Sequence, residues 1–337
     1  IICDEHHHAA VAASWGDSAE SAFRDAEFVL ILSGTPVRSD GEETVWLTYN
    51  ENGNLKHSKD GSFVLTYGEA VELGYCRPVA FHRHEGRFNV QLDTDENVVI
   101  SGSESPEAAK LVKRLPALKS YMQFYKLAQT PSYHPNTTTP DLSGYQASMI
   151  EEAARKLDEI RLEMPNAGGL VIAPNIRVAE YFCELIREIE GEEPILVHSE
   201  KPGSDQKISA FRATDRRWIV SVAMISEGVD IPRLRVLVYL PNSQTELSFR
   251  QSIGRIVRTS GLNDDTRGYV VMPAFKIFDE FARRVELEMP ASAKTKKEPK
   301  FKRCPICENE CALSDHECKS CGHIFEKKER VARQKTC

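Results

Sequence analysis

Short apolar runs alternate with longer amphipathic stretches through the second half of the chain. The apolar runs have the length of strands, and the stretches between them show the periodicity of surface helices. This alternation is typical of βαβ units, in which parallel strands are covered by helices on both faces. The pattern predicts strands at Gly169–Ala173, Ile195–His198, Trp218–Val222, Val236–Leu240 and Gly268–Met272, and helices at Tyr145–Leu162, Val178–Glu190, Asp205–Ala213, Gln244–Arg258 and Phe275–Glu288.

The first part of the chain shows the same alternation less regularly. Ile1–Cys3 has the pattern of the end of a buried strand, Ser18–Glu27 has that of a short helix, and Phe28–Leu32 is a second apolar run. Two continuous apolar runs joined by a helix predict a parallel sheet here as well. Residues Gln129–Gly144 contain three prolines and no periodicity, so they predict a linker and a domain boundary.

The composition is typical of a soluble globular protein. Of the 337 residues, 41% are hydrophobic and 28% are charged, which excludes a disordered or collagen-like chain. This length is enough for about two core-bearing domains and a small appendage. The sequence has no apolar run of about 18 residues and no basic-then-apolar leader. It therefore predicts no membrane span and a cytoplasmic location.

Charge is distributed unevenly along the chain. The net charge is −7, but residues 291–337 carry 12 Lys and Arg against 7 Asp and Glu, a local excess of +5. An acidic body with a basic tail does not favour nonspecific coating of nucleic acid, but it is compatible with binding along a local groove. The basic run Lys294–Arg303 could contact nucleic-acid phosphates or serve only as a solvated linker.

Two motifs in the first part follow the predicted strands. Asp4 and Glu5 come directly after the first apolar run. At the carboxyl end of a parallel strand, an aspartate can hold Mg²⁺ and an adjacent glutamate can polarise an attacking water. A solvated acidic turn and a His-rich metal site are the alternative interpretations. Ser33 and Thr35 follow the second apolar run and would place hydroxyl groups at the same sheet edge.

A third motif, Ser226–Pro232, follows the predicted strand Trp218–Val222. Gly228 in this motif allows the backbone to approach a ligand closely. Asp230 offers a carboxylate to a ribose hydroxyl or to an arginine. Taken alone, a motif of this kind would more often be an ordinary loop.

A fourth motif has the sequence QSIGRIVR on a predicted helix. Gln251, Arg255 and Arg258 are spaced at i, i+4 and i+7, so we expect them to share one face of that helix. Gly254 would let this face approach another surface closely. A face with two arginines and a glutamine suits a terminal phosphate, and a ladder of surface ion pairs is the alternative interpretation.

In this order, the four motifs resemble motifs II, III, V and VI of superfamily 2 helicases and translocases. The similarity is greatest to the group that includes restriction-enzyme motor subunits and related DNA helicases. The resemblance covers residues 1 to about 288. It implies an α/β fold of two RecA-like lobes with parallel sheets, the first lobe partial, with ATP bound in the cleft and nucleic acid crossing both lobes.

The resemblance also implies a role for each matching residue. Asp4 would coordinate Mg²⁺, and Glu5 would activate the attacking water. Arg255 and Arg258 would act as arginine fingers. The other matching residues fall into three groups: coupling of nucleotide state to lobe closure (Ser33 and Thr35), nucleotide binding (His7, Gly228, Asp230, Gln251 and Gly254), and nucleic-acid binding (Asn175, His198 and Ser199).

The phosphate-binding loop of this family, G-x-x-x-x-G-K-[ST], is absent from the sequence, which contains no Gly-Lys dipeptide. In the family this loop precedes motif II, and the chain begins with Ile1 rather than Met. We therefore expect the sequence to be cut from a larger protein in which the loop lies upstream. On its own, the chain would not be expected to hydrolyse ATP.

Five of the nine cysteines lie within residues 304–321. Cys304 and Cys307 form one C-x₂-C turn, and Cys318 and Cys321 form a second. Two such turns supply four thiolates for a closed tetrahedral Zn²⁺ site, and together they resemble a zinc ribbon whose folding metal binding would have to drive. Two disulfides are the alternative. Three further side chains could replace a ligand, namely Cys311, His316 and His323.

These observations divide the chain into five segments. They are the partial first lobe with its linker (1–143), the second lobe (144–289), a basic linker (290–303), the zinc ribbon (304–325) and a tail (326–337). The leading hypothesis is an ATP-dependent helicase or translocase acting on nucleic acid, with DNA favoured and other subunits of a larger complex as further partners. The alternatives are a catalytically silent nucleic-acid-binding fragment that uses the second lobe and the zinc ribbon, and an RNA helicase.

Overall fold

A computed structural model describes most of the chain. The described residues are 1–4, 6, 14–34, 43–49, 56, 61–91, 97–101, 124–198, 200, 203–222, 230–259, 264, 266–290, 301–303, 306, 310–312, 321 and 323–324. The chain divides into two compact units, Ile1–Pro290 and Ala291–Cys337. Among the described helices, none combines the length and the apolar character that crossing a membrane requires.

The described elements are as follows. The strands are β1 (Ile2–Cys3), β2 (Leu30–Ile31), β3 (Val79–His84), β4 (Arg87–Gln91), β5 (Asn97–Ser101), β6 (Gly168–Ala173), β7 (Ile195–Val197), β8 (Trp218–Val222), β9 (Leu234–Tyr239), β10 (Gly268–Pro273), β11 (Phe301–Arg303) and β12 (Glu310–Ala312). The helices are α1 (Ser14–Phe23), α2 (Tyr67–Glu72), α3 (Phe124–Ala128), α4 (Tyr145–Arg161), α5 (Ile176–Glu190), α6 (Ser204–Ala213), α7 (Glu246–Ile253) and α8 (Lys276–Glu288).

A six-stranded sheet forms the centre of the first unit. Its order is β3-β10-β9-β6-β8-β7, and all neighbouring strands are parallel. The central strands β6 and β9 are buried at every residue, as expected for a parallel sheet covered on both faces. The predicted α/β alternation of residues 145–288 is confirmed, with ends shifted by two residues or fewer except at the end of α7. Helix α1 begins and ends four residues before the predicted Ser18–Glu27.

Local sequence explains where these elements begin and end. The helix α5 begins after Asn175, whose Oδ1 accepts a hydrogen bond from the backbone N of Val178 at 3.0 Å. It ends at Gly191, which has φ 71°, a left-handed conformation that favours glycine. The helix α2 begins with a capping box between Thr66 and Glu69. Each terminus therefore lies at a residue suited to satisfy the otherwise unpaired backbone groups of a helix end.

The sheet extends further towards the start of the chain than the predicted boundary at residue 143. Strand β3 pairs along its whole length with β10, from Gly268 beside Val79 to Pro273 beside His84. The predicted linker 129–144 is also packed rather than free, because Tyr181 Oη donates to the Ser132 carbonyl at 2.9 Å and Gln146 Nε2 donates to the Thr130 carbonyl at 2.7 Å. The proline-rich segment is therefore part of the sheet unit.

The first part of the chain forms a small parallel pair of strands. Ile2 lies beside Leu30 and Cys3 beside Ile31, so the predicted parallel pairing is confirmed for β1 and β2. The predicted burial is not observed, since Ile2 is 71% and Leu30 is 39% exposed. Two strands cannot cover their own faces, and sheets need further strands or helices for a core.

The second unit contains an antiparallel hairpin. Strand β11 pairs with β12, with Phe301 beside Ala312 and Arg303 beside Glu310. The connection between these strands, residues 304–309, carries Cys304 and Cys307 in the sequence. The predicted basic linker 290–303 therefore ends in a strand.

Candidate functional site

Asp4 and Ser33 follow two neighbouring parallel strands. Asp4 comes directly after β1, and Ser33 lies two residues after β2. The Leu32 backbone N donates to the Cys3 carbonyl at 2.8 Å, so the two chain segments are still paired at this point. Because parallel strands end at the same sheet edge, the structure brings Asp4 of predicted motif II and Ser33 of predicted motif III to one edge.

His6 fixes the start of the segment that follows Asp4. Its side chain is buried, its Nε2 lies 2.6 Å from the Val45 carbonyl, and its ring stacks on Trp46 with ring centroids 5.7 Å apart. Its backbone N donates to the Leu32 carbonyl at 3.4 Å. His6 is therefore a structural residue that connects the two motifs, while Asp4 remains exposed at the sheet edge.

The helix predicted to carry Gln251, Arg255 and Arg258 is shorter than expected. Helix α7 ends at Ile253, with Gly254 as its C-cap, whereas the sequence predicted a helix that continues to Arg258. The chain then turns, with the backbone N of Arg255 bonded to the Ser252 carbonyl at 3.2 Å. This turn is still helical but tightened, with the backbone N of Ile256 bonded to the Ile253 carbonyl at 2.9 Å, so only Gln251 lies on the regular helix.

Gly254 is the C-cap of α7. The nearest atoms to a Cβ placed there would be backbone atoms of its own helix, with the Gln251 carbonyl oxygen at 3.2 Å. Gly254 therefore serves the end of α7, and the close approach of another surface to it stays a prediction.

The structure brings the ends of the third and fourth motifs together. Arg258 Nη1 lies 2.8 Å from Asp230 Oδ1. The side chains are 43% and 49% exposed, so this ion pair is open to solvent. The sequence anticipated an arginine as one possible partner for Asp230, but it did not identify which one. Arg258 thus has an acidic partner from outside its own motif.

A cluster of buried charges lies next to the backbone of Arg258. The side chains of Arg77 and Arg235 have 0% exposure, and both reach Asp264 Oδ2, at 2.5 Å from Arg77 Nη2 and 3.0 Å from Arg235 Nη2. Thr266 Oγ1 donates to the other carboxylate oxygen at 2.5 Å. A buried charge is costly unless it is paired and hydrogen-bonded, and this cluster meets both conditions.

Burial controls the ionisation of both arginines. It lowers the pKa of Arg77 to about 10, against the opposing effect of Asp264. It lowers the pKa of Arg235 to about 9, with Arg77 adding to the decrease and Asp264 opposing it. Both guanidinium groups therefore remain charged near neutral pH.

Sequence reasoning missed this cluster. Arg235 lies directly before the predicted strand Val236–Leu240 and falls within the observed strand β9, Leu234–Tyr239. A charged residue at such a position signals a buried acidic partner, because an unpaired cation is rarely found there. No comparable signal identifies Arg77 or Asp264, which come together only through the fold.

The predicted nucleic-acid contacts lie at two helix starts. The Asn175 side chain caps α5 through its Oδ1, so this oxygen has a structural function. His198 follows β7, is 8% exposed, and its carbonyl accepts a hydrogen bond from Ser204 Oγ at 2.9 Å. Helix α6 begins at Ser204, with Gly203 before it in the left-handed conformation. His198 is therefore close to a helix start, where backbone N–H groups suit an anion.

Several predicted site residues lie outside the described residues. They are Glu5, His7, Thr35, Ser199, Gly228, Cys304, Cys307 and Cys318. Cys321 is the one predicted zinc ligand in the described part of the chain, and it is exposed. Within that part, no group of three Cys, His, Asp or Glu residues is close enough to hold a metal ion.

Comparison with known proteins identifies one domain. Residues 152–260 match the family model of the helicase conserved C-terminal domain. This range runs from within α4 to just beyond Arg258, so it includes four of the six strands of the sheet, namely β6, β7, β8 and β9. It also includes both members of the Asp230–Arg258 pair.

The chain is also similar to longer proteins. It is 34% identical over 260 residues to an uncharacterized protein of Mycobacterium leprae, a match that covers 77% of this chain and 40% of the relative. It is 23% identical over 265 residues to the DNA 3'-5' translocase XPB2 of Sulfurisphaera tokodaii, covering 77% of this chain and 55% of that protein. The chain thus spans 40% of the length of the mycobacterial relatives it matches.

Among solved structures, the ATP-dependent Type ISP restriction-modification enzyme LlaBIII bound to DNA is similar with a TM-score of 0.40. The match is 16% identical and covers 82% of this chain and 18% of that enzyme. Yeast Dbp5 (S. cerevisiae) bound to RNA and ADP BeF3 is similar with a TM-score of 0.40, at 11% identity, covering 85% of this chain and 56% of that protein.

Proposed function

Because residues 152–260 match the helicase conserved C-terminal domain, we propose that the chain is part of an ATP-dependent helicase or translocase of superfamily 2. That match is the observation that carries the proposal. Two further features support it: the motif II and III residues lie at one sheet edge, and Arg258 pairs with Asp230. The four motifs also stand in the order expected for this superfamily.

In this proposal, the exposed carboxylate of Asp4 at the end of β1 holds Mg²⁺. The donor set fits a hard cation, because carboxylate oxygens are the ligands Mg²⁺ prefers. The adjacent Glu5 orients and polarises the attacking water, and Ser33 couples nucleotide state to lobe closure. Bound Mg²⁺ would supply neutralisation of charge on the phosphates.

Arg258 supplies positive charge towards the transferring phosphoryl group. This guanidinium pairs with Asp230, and the pair is open to solvent. An exposed pair of this kind contributes little to stability, so its exchange for a phosphate contact would cost little. Arg255 stands in the same turn and is proposed to act beside it.

The remaining motif residues are proposed to bind the ligands. His7, Gly228, Gln251 and Gly254 would line the nucleotide site with Asp230, and Thr35 would act with Ser33. Asn175, His198 and Ser199 would contact nucleic-acid phosphates. DNA is favoured over RNA, since a relative at 23% identity is named as a DNA translocase. Contacts to the backbone alone discriminate poorly between the two.

The phosphate-binding loop is proposed to be supplied by residues upstream of this chain. The sequence contains no Gly-Lys dipeptide, and the chain spans 40% of the length of its mycobacterial relatives. Hydrolysis should therefore require a form that carries the loop. The alternative, a silent nucleic-acid-binding module, predicts that even this form is inactive.

The decisive variant is Glu5→Gln in the form that contains the loop. The exchange keeps the size of the side chain but removes its ability to polarise water, so ATP turnover should fall to background while ATP binding is retained. Turnover would be measured with and without DNA, and binding with a fluorescent nucleotide. Glu20→Gln, an exposed carboxylate on α1, is the matched control.

Two outcomes would contradict this proposal. Unchanged turnover in Glu5→Gln would show that Glu5 is not the catalytic carboxylate. Absence of turnover in the parent form, with DNA binding retained, would favour the silent binding module. Competition between DNA and RNA in the same assay would decide which of the two nucleic acids stimulates ATP turnover.

For the second unit we propose a Zn²⁺ site formed by Cys304, Cys307, Cys318 and Cys321. The described hairpin supports it, because β11 and β12 flank the segment that carries the first two cysteines. Cys thiolates in paired C-x₂-C turns suit tetrahedral Zn²⁺. The ribbon and the basic run before it would add a nucleic-acid contact to that of the sheet unit.

A further inference from the structure

The turn that carries Arg258 depends on contacts from outside its own segment. Since α7 ends at Ile253, the carbonyls of Val257 and Arg258 lie beyond the regular helix. The Val257 carbonyl accepts a hydrogen bond from the backbone N of Arg77 at 2.7 Å, and Cys76 forms an isolated antiparallel bridge with Arg258. The chain just before β3 is therefore the surface against which this turn is built.

The Arg77 side chain makes further hydrogen bonds to this turn and to its neighbours. Its Nη2 donates to the Arg258 carbonyl and to Asp264, and its Nη1 donates to the Leu234 carbonyl at 3.3 Å. Leu234 opens β9, four residues after Asp230. One buried guanidinium thus holds the backbone of Arg258 and the backbone that follows Asp230.

The ion pair itself cannot fix the position of Arg258. Both of its side chains are more than two-fifths exposed, and exposed pairs contribute little to holding long side chains in one place. The planar fork of a buried, charge-paired arginine is far more rigid. The position of Arg258 is therefore set by its backbone, and the backbone is held by Arg77.

We propose that Arg77 is a positioning residue that holds the Arg258 turn in place, so that the Arg258 guanidinium is presented beside Asp230. Its effect on catalysis rests on the proposed function, because it acts only through Arg258. Its effect on the geometry of the turn does not depend on the proposed function. The two consequences can therefore be tested separately.

The geometric test uses crystal structures of the 337-residue chain carrying Arg77→Lys. A lysine keeps the charge but cannot reach two carbonyls and a carboxylate at once. We expect Arg258 to move, with its Nη1 more than about 4 Å from Asp230 Oδ1, the limit for an ion pair. A pair retained at its present distance would overturn the proposal. If Arg77→Lys does not fold, Asp264→Asn removes the carboxylate that orients Arg77 and gives the same expectation.

Arg233→Lys is the matched control for both tests. Arg233 is also buried, donates to the carbonyls of Asn166 and Phe211 at 2.9 and 2.6 Å, and burial lowers its pKa to about 10, as for Arg77. It has no described contact with the Arg258 turn. We expect Arg233→Lys to leave the Asp230–Arg258 pair and the ATP turnover unchanged even if the unfolding midpoint falls.

The catalytic test uses the form that contains the phosphate-binding loop. Arg258→Ala should lower kcat at least about 100-fold, and Arg77→Lys about 10-fold with little change in the KM for ATP. Because Arg77 acts through Arg258, the double variant should be no slower than Arg258→Ala alone. Additive losses would overturn the positioning role. Normal turnover in Arg258→Ala would instead reject the proposed catalytic role of Arg258 and leave the crystallographic test to decide on Arg77.

Discussion

At the scale of single residues, three buried arginines determine how the loops around the sheet are held. Arg77 donates to the Leu234 carbonyl, Arg235 to the Pro232 carbonyl, and Arg233 to the carbonyls of Asn166 and of Phe211 in the last turn of α6. Arg233 also stacks over the Phe211 ring at 3.9 Å. A carbonyl in a buried loop needs such a donor, because no helix or strand neighbour satisfies it. In this unit, buried arginine side chains therefore satisfy backbone carbonyls in the interior.

His84 gives the first testable consequence at this scale. Its ring is buried, and its Nε2 lies 2.9 Å from Ser148 Oγ. Burial, aided by neighbouring His82 and opposed by Glu152, lowers the pKa of His84 to about 4 from the ordinary 6.5. The unfolded chain therefore binds a proton at a higher pH than the folded chain.

The sign of the pH dependence follows from this difference. The contribution of His84 to stability is fully present above about pH 6.5 and declines as the pH falls towards about 4. The total loss is on the order of 3 kcal/mol. Denaturant titrations from pH 7 to 4 should show a shallower decline for His84→Gln than for wild type. The exposed His134→Gln is the control; equal slopes for all three proteins would refute the assignment.

At the scale of elements, close contact between strands depends on small residues. Gly169 in β6 lies beside Trp218 in β8. The Trp218 indole is buried, and its Nε1 donates to Glu190 Oε2 at 2.6 Å. Glu190 is the last residue of α5, so this hydrogen bond fixes the ring against that helix. Two neighbouring strands and helix α5 therefore meet at a position where a glycine leaves room for an indole.

Gly169→Ala tests this packing. A Cβ at residue 169 would lie 2.2 Å from a Trp218 ring carbon, too close for any real contact. We expect the free energy of unfolding to fall by about 1–3 kcal/mol, as for other overpacked cores, measured by denaturant titration. In a double-mutant cycle with Trp218→Leu, the two losses should not add, because the smaller side chain removes the clash. Simple additivity would contradict this explanation.

At the scale of the whole molecule, the two compact units have different requirements for stability. The first unit contains a continuous hydrophobic core around the six-stranded sheet. The second comprises residues 291–337, too few to bury a comparable core, and its described strands are three residues each. A metal ion is the usual means of stabilising a segment of this size.

Metal removal should therefore affect only the second unit. We expect about one Zn²⁺ per chain by elemental analysis, and a chelator should make residues 291–337 sensitive to limited proteolysis while the first unit stays resistant. Cys318→Ser should reproduce the chelator effect. Cys183→Ser, at a buried cysteine of the first unit, should retain the metal. A chain without zinc, or one whose proteolysis is unaffected by the chelator, would contradict the proposed site.

The sequence by itself determined the α/β alternation of residues 145–288 and the order of the motifs. These features depend on local patterns: apolar runs set the strands, and capping residues such as Asn175 and Gly191 set the helix ends. Even there, the end of α7 was predicted wrongly, because helical periodicity continues through Arg258 in the sequence whereas the backbone turns at Gly254.

Only the tertiary structure decided which distant residues meet. It placed β3 in the sheet beside β10, paired Asp230 with Arg258, and brought Arg77 to Asp264 across 187 positions of sequence. Strand order and buried ion pairs depend on contacts between segments far apart in the chain, and no local propensity encodes which segments become neighbours. The chemistry of the motifs can thus be recognised in the sequence, whereas the contacts that hold them in place are properties of the fold.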